Sequence, residues 1–158
     1  SDVYKRQGLD HGAWAVLVHM YPEANIPVVQ LSVDRTKSPE EQFEVGRQLA
    51  HLRDMGYMII GSGNVVHNFS EMDSNMTSPL PWNKAFDDYI EQSIIEKNYK
   101  ASVNYLDFGR PAKLAVPSTD HYYPLINLLG TVVEEDHVSV FNKAFEFGSF
   151  SMTSYLFE

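Results

Sequence analysis

Three histidines stand in short, unusual sequence contexts. His11 lies in Gly-Leu-Asp-His-Gly-Ala-Trp, His67 lies in Gly-Ser-Gly-Asn-Val-Val-His-Asn, and His121 lies in Pro-Ser-Thr-Asp-His-Tyr-Tyr-Pro-Leu. Imidazole is the commonest metal ligand in proteins, and it titrates near neutral pH, so it suits both metal binding and proton transfer. The three residues therefore predict a metal centre or an acid–base centre that the fold assembles from separate parts of the chain.

Each histidine also has an ordinary structural explanation. His67 could hydrogen bond to backbone groups of its own loop. His121 falls in the first turn of a predicted helix, where the helix dipole disfavours imidazolium, but there it could simply bond to solvent. Asp10 could orient the ring of His11 or act as the N-cap of the helix that follows. We interpret the remaining histidines as structural: His19, His51 and His137.

Composition excludes several classes of function. The 158 residues are 44% hydrophobic, which predicts one folded domain with a real core. The net charge of −9 argues against a nucleic-acid partner. The absence of cysteine excludes disulfides, thiolate metal sites and a cysteine nucleophile. No apolar run approaches the roughly 18 residues of a membrane span, so we expect no membrane association and a cytoplasmic location.

The elements that position the histidines form a predicted α/β domain with a mostly parallel sheet flanked by helices. Ile26 to Val33 and Tyr57 to Ile60 are predicted buried strands, because they are apolar and largely β-branched or aromatic. A helix between them starts at Ser38, with a capping box to Glu41, and ends at Gly56. Strand, helix and strand in this order predict a βαβ unit with parallel pairing.

The second half of the sequence predicts further helices and a C-terminal β-hairpin. We predict helices at Ala13 to Met20, Asn83 to Lys97 and Asp120 to Leu129. A polar loop that could cover a cleft is predicted at Glu71 to Pro81, and Val138 to Phe157 alternates as a hairpin, with Gly148 near its turn. The two glycines before His67 predict a tight turn in which the backbone approaches a ligand.

The N-terminal boundary carries a prediction of its own. Residues 2–7 match what one reading frame of a common transposon-type sequencing adapter would encode. We therefore predict that residues 1–7 are a sequencing or assembly scar and that residues 8–158 are part of a single domain truncated at its N-terminus.

Taken in order, the motifs resemble a known family. From Gly8 to Glu158 the chain resembles the C-terminal part of class III extradiol ring-cleavage dioxygenases. Within that class it is most similar to the DOPA 4,5-dioxygenase-like group, in the superfamily of the protocatechuate 4,5-dioxygenase catalytic subunit. The resemblance rests on the three histidine motifs, on Met20 to Val33 and on Glu146 to Met152.

The resemblance implies a reaction and a role for each histidine. Such enzymes use a non-haem Fe(II), or bind Zn(II), to hold a small aromatic diol beside O₂, and both oxygen atoms enter the ring-opened product. By motif match, His121 is implied as a metal ligand. His67 is implied as the residue that moves protons between the catechol hydroxyl and oxygen, or that also binds the metal. His11 is implied as a hydrogen-bonding partner of substrate or oxygen.

The sequence also departs from the family. Members carry two further metal-binding histidines before the Gly-Leu-Asp-His motif, and a facial triad needs three protein ligands. We therefore expect the remaining ligands in a missing N-terminal part, and we expect this chain alone to be inactive. The alternative is a metal-free binding or scaffold protein of the same fold. A zinc hydrolase is disfavoured, because the sequence has no His-Glu-x-x-His helix.

Overall fold

The computed structural model describes residues 8–158, so the predicted scar at residues 1–7 lies outside the described residues. The chain divides into two compact units, the second of which is Asp34–Glu158. No helix in residues 8–158 combines the length and the apolar character needed to cross a bilayer.

The unit of residues 8–33 contains one helix. Helix α1 spans His11–Met20, which confirms the predicted helix. Asp10 is its N-cap, and the carboxylate accepts a hydrogen bond from the backbone N–H of Gly12 at 3.0 Å. The predicted strand at residues 26–33 is wrong, because these residues pair with no strand within residues 8–158. The side chain of Val29 is 91% exposed, and an extended segment needs a neighbouring strand to become a ladder.

The second unit begins with the helix that the sequence predicts most specifically. Helix α2 spans Pro39–Leu49, and the short helix α3 spans His51–Asp54 after a break at Ala50. The hydroxyl of Ser38 accepts from the backbone N–H of Glu41 at 3.2 Å, while the Glu41 carboxylate accepts from the backbone N–H of Ser38 at 2.7 Å. The predicted capping box is thus confirmed.

The predicted parallel sheet does not form within residues 8–158. Residues 57–60 are not in a strand, and the side chains of Tyr57 and Met58 are 57% and 67% exposed. The βαβ prediction is therefore wrong for the described residues. The physical reason is that apolar and β-branched residues fit a strand only where another strand satisfies their backbone groups.

Four further helices and two 3₁₀ turns follow. Their bounds are α4 Pro81–Ile95, α5 Tyr99–Val103, α6 Arg110–Ala115 and α7 Tyr123–Gly130, with 3₁₀ turns at Phe69–Glu71 and Tyr105–Phe108. Helix α4 confirms the predicted amphipathic helix, because Phe86, Ile90 and Ile94 are fully buried. Full burial of each such side chain stabilises the fold by roughly 1.5–3 kcal/mol.

Helices α2 and α7 pack so closely that their backbones touch. A Cβ atom on Gly46 would lie 1.9 Å from the backbone oxygen of Asn127. A Cβ atom on Gly130 would lie 2.1 Å from the backbone oxygen of Phe43. Because real Cβ atoms do not approach oxygen at these distances, the helix pair requires glycine on both sides.

The C-terminal strands form two nested antiparallel pairs. The inner pair joins β2 (Phe145–Glu146) to β3 (Phe150–Ser151), and the outer pair joins β1 (Val138–Phe141) to β4 (Ser154–Phe157). The inner turn contains Phe147 at φ 52° and Gly148 at φ 73°. The predicted hairpin is confirmed, and within residues 8–158 the sheets are antiparallel rather than mostly parallel.

A buried polar network attaches β3 to helix α4. The carboxylate of Asp87 is fully buried and accepts hydrogen bonds from the hydroxyls of Ser151 at 2.5 Å and Thr153 at 2.8 Å. The Asn83 side-chain amide donates to the backbone oxygens of Gly148 at 2.9 Å and Phe150 at 3.2 Å. Burial raises the pKa of the Asp87 carboxyl, although both hydroxyl hydrogen bonds oppose that shift. The network therefore anchors β3 to the core.

Candidate functional site

His67 is held by backbone contacts on both sides. Its N–H donates to the carbonyl of Ala115, the last residue of α6, at 3.0 Å. It also forms an isolated antiparallel bridge with Phe150, and the N–H of Ser151 donates to the carbonyl of Val66 at 3.0 Å. Helix α6 and strand β3 thus fix the position of His67 from two directions.

His121 lies in the turn that precedes helix α7. The helix begins at Tyr123, so the prediction that His121 belongs to its first turn is wrong by two residues. Pro124 stands in the first turn, where the missing N–H has no intrahelical partner to lose, and this explains the later start.

The Gly-Ser-Gly segment approaches His121. The N–H of Asn64 donates to the His121 carbonyl at 2.9 Å, and a Cβ atom on Gly63 would lie 2.1 Å from that same oxygen. The predicted close backbone approach is therefore present, but the group that Gly63 approaches is the backbone of His121. The glycine is required to bring the two histidine motifs together.

The rings of His67 and His121 stack. Their centroids are 3.6 Å apart, and their planes differ by 12°. Phe69 meets His67 edge to face with centroids 4.8 Å apart, and Phe150 packs on His67 at 4.8 Å with a 55° tilt. The fold thus brings two of the three predicted site histidines, His67 and His121, into direct contact. Phe69 and Phe150 pack against His67.

These rings border an open cleft of about 270 Å³. Its lining is His67–Ser70, Pro117 and Ser118, and Asp120 and His121. The volume is close to the lower end of the range for small-molecule sites, so the cleft has room for a small ligand such as one aromatic ring with its substituents.

Two of the ionisable side chains that line the cleft, His67 and Asp120, have shifted pKa values. Burial lowers the pKa of His67, and the electrostatic interaction with His121 lowers it further, while Asp120 opposes the shift. The neighbouring Ser118 side chain lowers the pKa of the Asp120 carboxyl, with burial opposing the shift and His121 assisting it. Asp120 Oδ2 is 3.5 Å from His121 Nε2. At neutral pH the cleft therefore contains a neutral imidazole at His67 and a carboxylate at Asp120.

His11 belongs to the unit of residues 8–33. It is exposed at the start of α1, and its ring meets Trp14 edge to face with centroids 5.4 Å apart. Of the two roles predicted for Asp10, the structure shows the N-cap. Among the histidines interpreted as structural, His51 Nδ1 lies 2.9 Å from the backbone oxygen of Gln48, and His19 and His137 are exposed.

The described residues contain no complete set of metal ligands. Within residues 8–158, no group of three or more His, Cys, Asp or Glu side chains could hold a metal ion. The lone pairs of imidazole lie in the ring plane, so two nearly parallel rings direct them into two separate planes. One ion cannot lie in both planes, and joint ligation by His67 and His121 requires one ring to rotate.

Several residues of the site were not predicted from the sequence, among them Asn68, Phe69 and Phe150. Asn68 and Phe69 directly follow His67, and proximity to the motif was the available signal. Phe150 is distant in sequence and reaches His67 through the bridge between residues 67 and 150, which no local pattern indicates.

Comparison with known proteins shows which family the chain belongs to. Residues 2–158 match the family of the catalytic LigB subunit of aromatic ring-opening dioxygenase. The chain belongs to this family. A protein of Escherichia coli (strain K12) named 4,5-DOPA dioxygenase extradiol is 41% identical over 153 residues, which cover 93% of this chain and 55% of that protein. A Beta vulgaris protein of the same name is 38% identical over 158 residues, covering 97% of this chain and 57% of that protein.

A solved structure is also similar. An uncharacterized protein of Escherichia coli K12 has a TM-score of 0.86 and 41% identity, covering 94% of this chain and 62% of that chain. The chain spans a little more than half the length of the Escherichia coli and Beta vulgaris proteins named above. These findings confirm the resemblance to class III extradiol dioxygenases.

Proposed function

We propose that the protein to which these residues belong cleaves the ring of a DOPA-like catechol next to the diol, with both atoms of O₂ entering the product. Family membership and the names of two relatives support this reaction. The observation that carries it is the stacked pair of His67 and His121, whose two motifs meet at one aromatic cleft. The substrates are a small aromatic diol and O₂.

The proposed metal is a non-haem Fe(II) or Zn(II), which when bound would bring the diol and O₂ into contact. His121 is the proposed protein ligand from this chain, because its ring is more than one-third exposed at the cleft. The remaining ligands are proposed to come from outside residues 8–158. Participation of His67 as a second ligand would require a ring to rotate out of the stack.

His67 is proposed to transfer protons at the substrate hydroxyl. The lowered pKa keeps the imidazole neutral at physiological pH, so it can accept a proton from a catechol that enters the cleft. Phe69 and Phe150 pack against the ring and restrict its orientation. His11 is proposed as a hydrogen-bonding residue of the same reaction.

The test uses the complete reading frame that contains this chain, expressed without oxygen in the presence of Fe(II). Metal content, O₂ consumption and the absorbance of ring-opened product from DOPA and simple catechols are measured. His121→Ala should lose both metal and activity. His67→Ala should keep its metal, and its rate of catechol cleavage should fall by a factor of roughly 10²–10⁴. His137→Ala, at an exposed position, is the matched control and should keep both.

Two outcomes would contradict the proposal. A folded, metal-loaded protein that cleaves no catechol would make these motifs signatures of the fold and favour a binding protein. Full activity in both His67→Ala and His121→Ala would show that the reaction occurs elsewhere. Residues 8–158 alone are expected to bind metal weakly and to show no turnover, since they lack a three-ligand set.

A further inference from the structure

Asn68 lines the cleft between His67 and Phe69, yet almost all of its surface is buried. Only 5% of its surface is exposed, whereas Phe69 is 69% exposed. A buried amide requires hydrogen-bond partners for both its donor and its acceptor, so its contacts indicate what it holds in place.

Both ends of the Asn68 amide are used. Nδ2 donates to the carbonyl of Leu114 at 2.7 Å, and Oδ1 accepts from the N–H of Ser70 at 2.9 Å. The second bond makes Asn68 the N-cap of the 3₁₀ turn Phe69–Glu71. The backbone N–H of Asn68 also donates to the carbonyl of Ser149 at 3.2 Å.

The bond to Leu114 joins the loop to the end of helix α6. The last carbonyls of a helix have no intrahelical partner and must be satisfied from outside. The carbonyls of Leu114 and Ala115 accept from Asn68 and His67 respectively, so two successive loop residues close the end of one helix. A shift of this loop would leave a buried carbonyl unpaired.

The His67 ring contacts three other rings. The ring lies against His121 at 3.6 Å and against Phe69 and Phe150 at 4.8 Å each, and Phe69 belongs to the turn that Asn68 caps. We propose that Asn68 is a positioning residue: its buried amide ties the loop to α6 and thereby sets the His67 ring against His121. This inference deepens the proposed function, on which the catalytic importance of His67 rests.

Other side chains cannot replace this amide fully. Aspartate keeps the acceptor and loses the donor, and alanine loses both. Serine can still cap the 3₁₀ turn, but its hydroxyl is too short to reach the Leu114 carbonyl. Asn68→Ser is therefore expected to keep the N-cap of the 3₁₀ turn and to lose the hydrogen bond to helix α6.

The test measures the geometry of His67 in the metal-free chain, so it requires no turnover. The ring-proton NMR signals of His67, assigned by their loss in His67→Gln, are shifted by the rings of His121, Phe69 and Phe150. They are recorded for the wild type, Asn68→Ala and Asn68→Ser together with the unfolding temperature. Asn127→Ala is the control, since its Nδ2 donates to the Gln42 carbonyl at 2.8 Å in the α2–α7 contact.

We expect Asn68→Ala to lower the unfolding temperature by roughly 2–8 °C. Its His67 signals should move most of the way to the position of an exposed histidine such as His137. Asn68→Ser should recover part of the unfolding temperature without recovering the signals. Asn127→Ala should lower the unfolding temperature by a similar amount and leave the His67 signals in place.

The proposal would be overturned if a folded Asn68→Ala kept the wild-type His67 signals, or if Asn127→Ala moved them as far. If Asn68→Ala does not fold, Asn68→Ser decides the question by the same signals. Absence of catechol cleavage by the complete protein would refute the proposed function and leave this result unchanged, so the two failures are distinguishable.

Discussion

Residues 8–33 and residues 34–158 both carry distinctive histidine motifs, yet they differ in burial. None of residues 8–33 is buried, and Trp14 is 49% exposed. Residues 34–158 bury Phe86 and Ile90 completely and hold His67 by backbone bonds on two sides. A motif therefore indicates which chemistry its residues could perform, whereas burial decides whether the fold holds them in one geometry.

The chain offers a direct way to measure this contrast, because it contains two tryptophans, Trp14 and Trp82. Trp14→Phe leaves Trp82 as the reporter of residues 34–158, and Trp82→Phe leaves Trp14 as the reporter of residues 8–33. The following predictions refer to urea unfolding followed by Trp82 fluorescence in the Trp14→Phe background.

The largest effect is expected from Gly63→Ala. The added Cβ atom would lie 2.1 Å from the His121 carbonyl oxygen, so the backbone must shift and lose the hydrogen bond from Asn64. We expect the free energy of unfolding to fall by about 3 kcal/mol or more. Gly8→Ala is the control, since nothing lies within 4 Å of its added atom. Equal effects of the two substitutions would refute the contrast.

The next effect is expected at the ion pair of Arg53 and Asp136. The two guanidinium nitrogens lie 2.5 and 2.7 Å from the carboxylate oxygens, and the Asp136 side chain is 6% exposed. Asp136→Asn should lower the free energy of unfolding by about 2 kcal/mol. Glu44→Gln is the matched control, because its pair with Arg47 spans 3.8 Å and is more than half exposed.

The contribution of this pair should depend on pH. A hydrogen bond from Arg53 lowers the pKa of the Asp136 carboxyl from its ordinary value of 3.8. The stabilisation is therefore present above that ordinary value and is lost as the pH falls through the lower pKa of the folded state. The difference between wild type and Asp136→Asn should shrink in acid, and a constant difference would contradict the assignment.

Asp87 should show the opposite dependence. Burial raises its pKa above the ordinary 3.8, and the charges of Glu91 and Asp88 raise it further, whereas the hydroxyls of Ser151 and Thr153 oppose the shift. The folded state then binds the extra proton, so stability falls as the pH rises from the ordinary value through the raised one.

Asp87→Asn removes this loss. The free energy of unfolding of this variant should therefore increase relative to that of the wild type as the pH rises, by about 1.4 kcal/mol for each unit by which the pKa of Asp87 is raised. The charge of Asp87 also interacts with Lys143 and Tyr155. Asp88→Asn, which removes a neighbouring carboxylate on the exposed side of α4, serves as the control. If the stability advantage of Asp87→Asn over the wild type increased in acid, the raised pKa of Asp87 would be refuted.

The smallest effect is expected from the helix caps. Ser38→Ala removes the capping box of α2, which contributes the buried residues Gln42 and Gly46, and should cost about 1 kcal/mol. Asp10→Ala removes the N-cap of α1, which buries no residue, and should cause a smaller shift in the transition followed by Trp14 fluorescence in the Trp82→Phe background. A larger shift from Asp10→Ala would contradict the difference in burial.

Local signals predicted the local structure of this chain. The capping box at Ser38, the amphipathic helix α4 and the hairpin around Gly148 all depend on residues close in sequence, and all three are confirmed. Residues 57–60 have the composition of a strand, but pairing depends on a neighbour that the segment itself does not specify.

The candidate site could be predicted only in part for the same reason. The motifs indicated His67 and His121 as functional residues, and the structure places them together. The contact of Phe150 with His67 and the bond from Asn68 to Leu114 join distant segments, so no periodicity or spacing indicates them. The roles of His11, His67 and His121 stay predictions.

The nested hairpin has a consequence for the order of folding. Its inner pair closes through a turn of a few residues, whereas the bond from Asn64 to Ser151 joins residues 87 positions apart. Short loops close quickly, and contacts between distant residues form only after a larger loss of chain entropy. We therefore expect the hairpin to form early and the cleft between His67 and His121 to be among the last parts of the molecule to assemble.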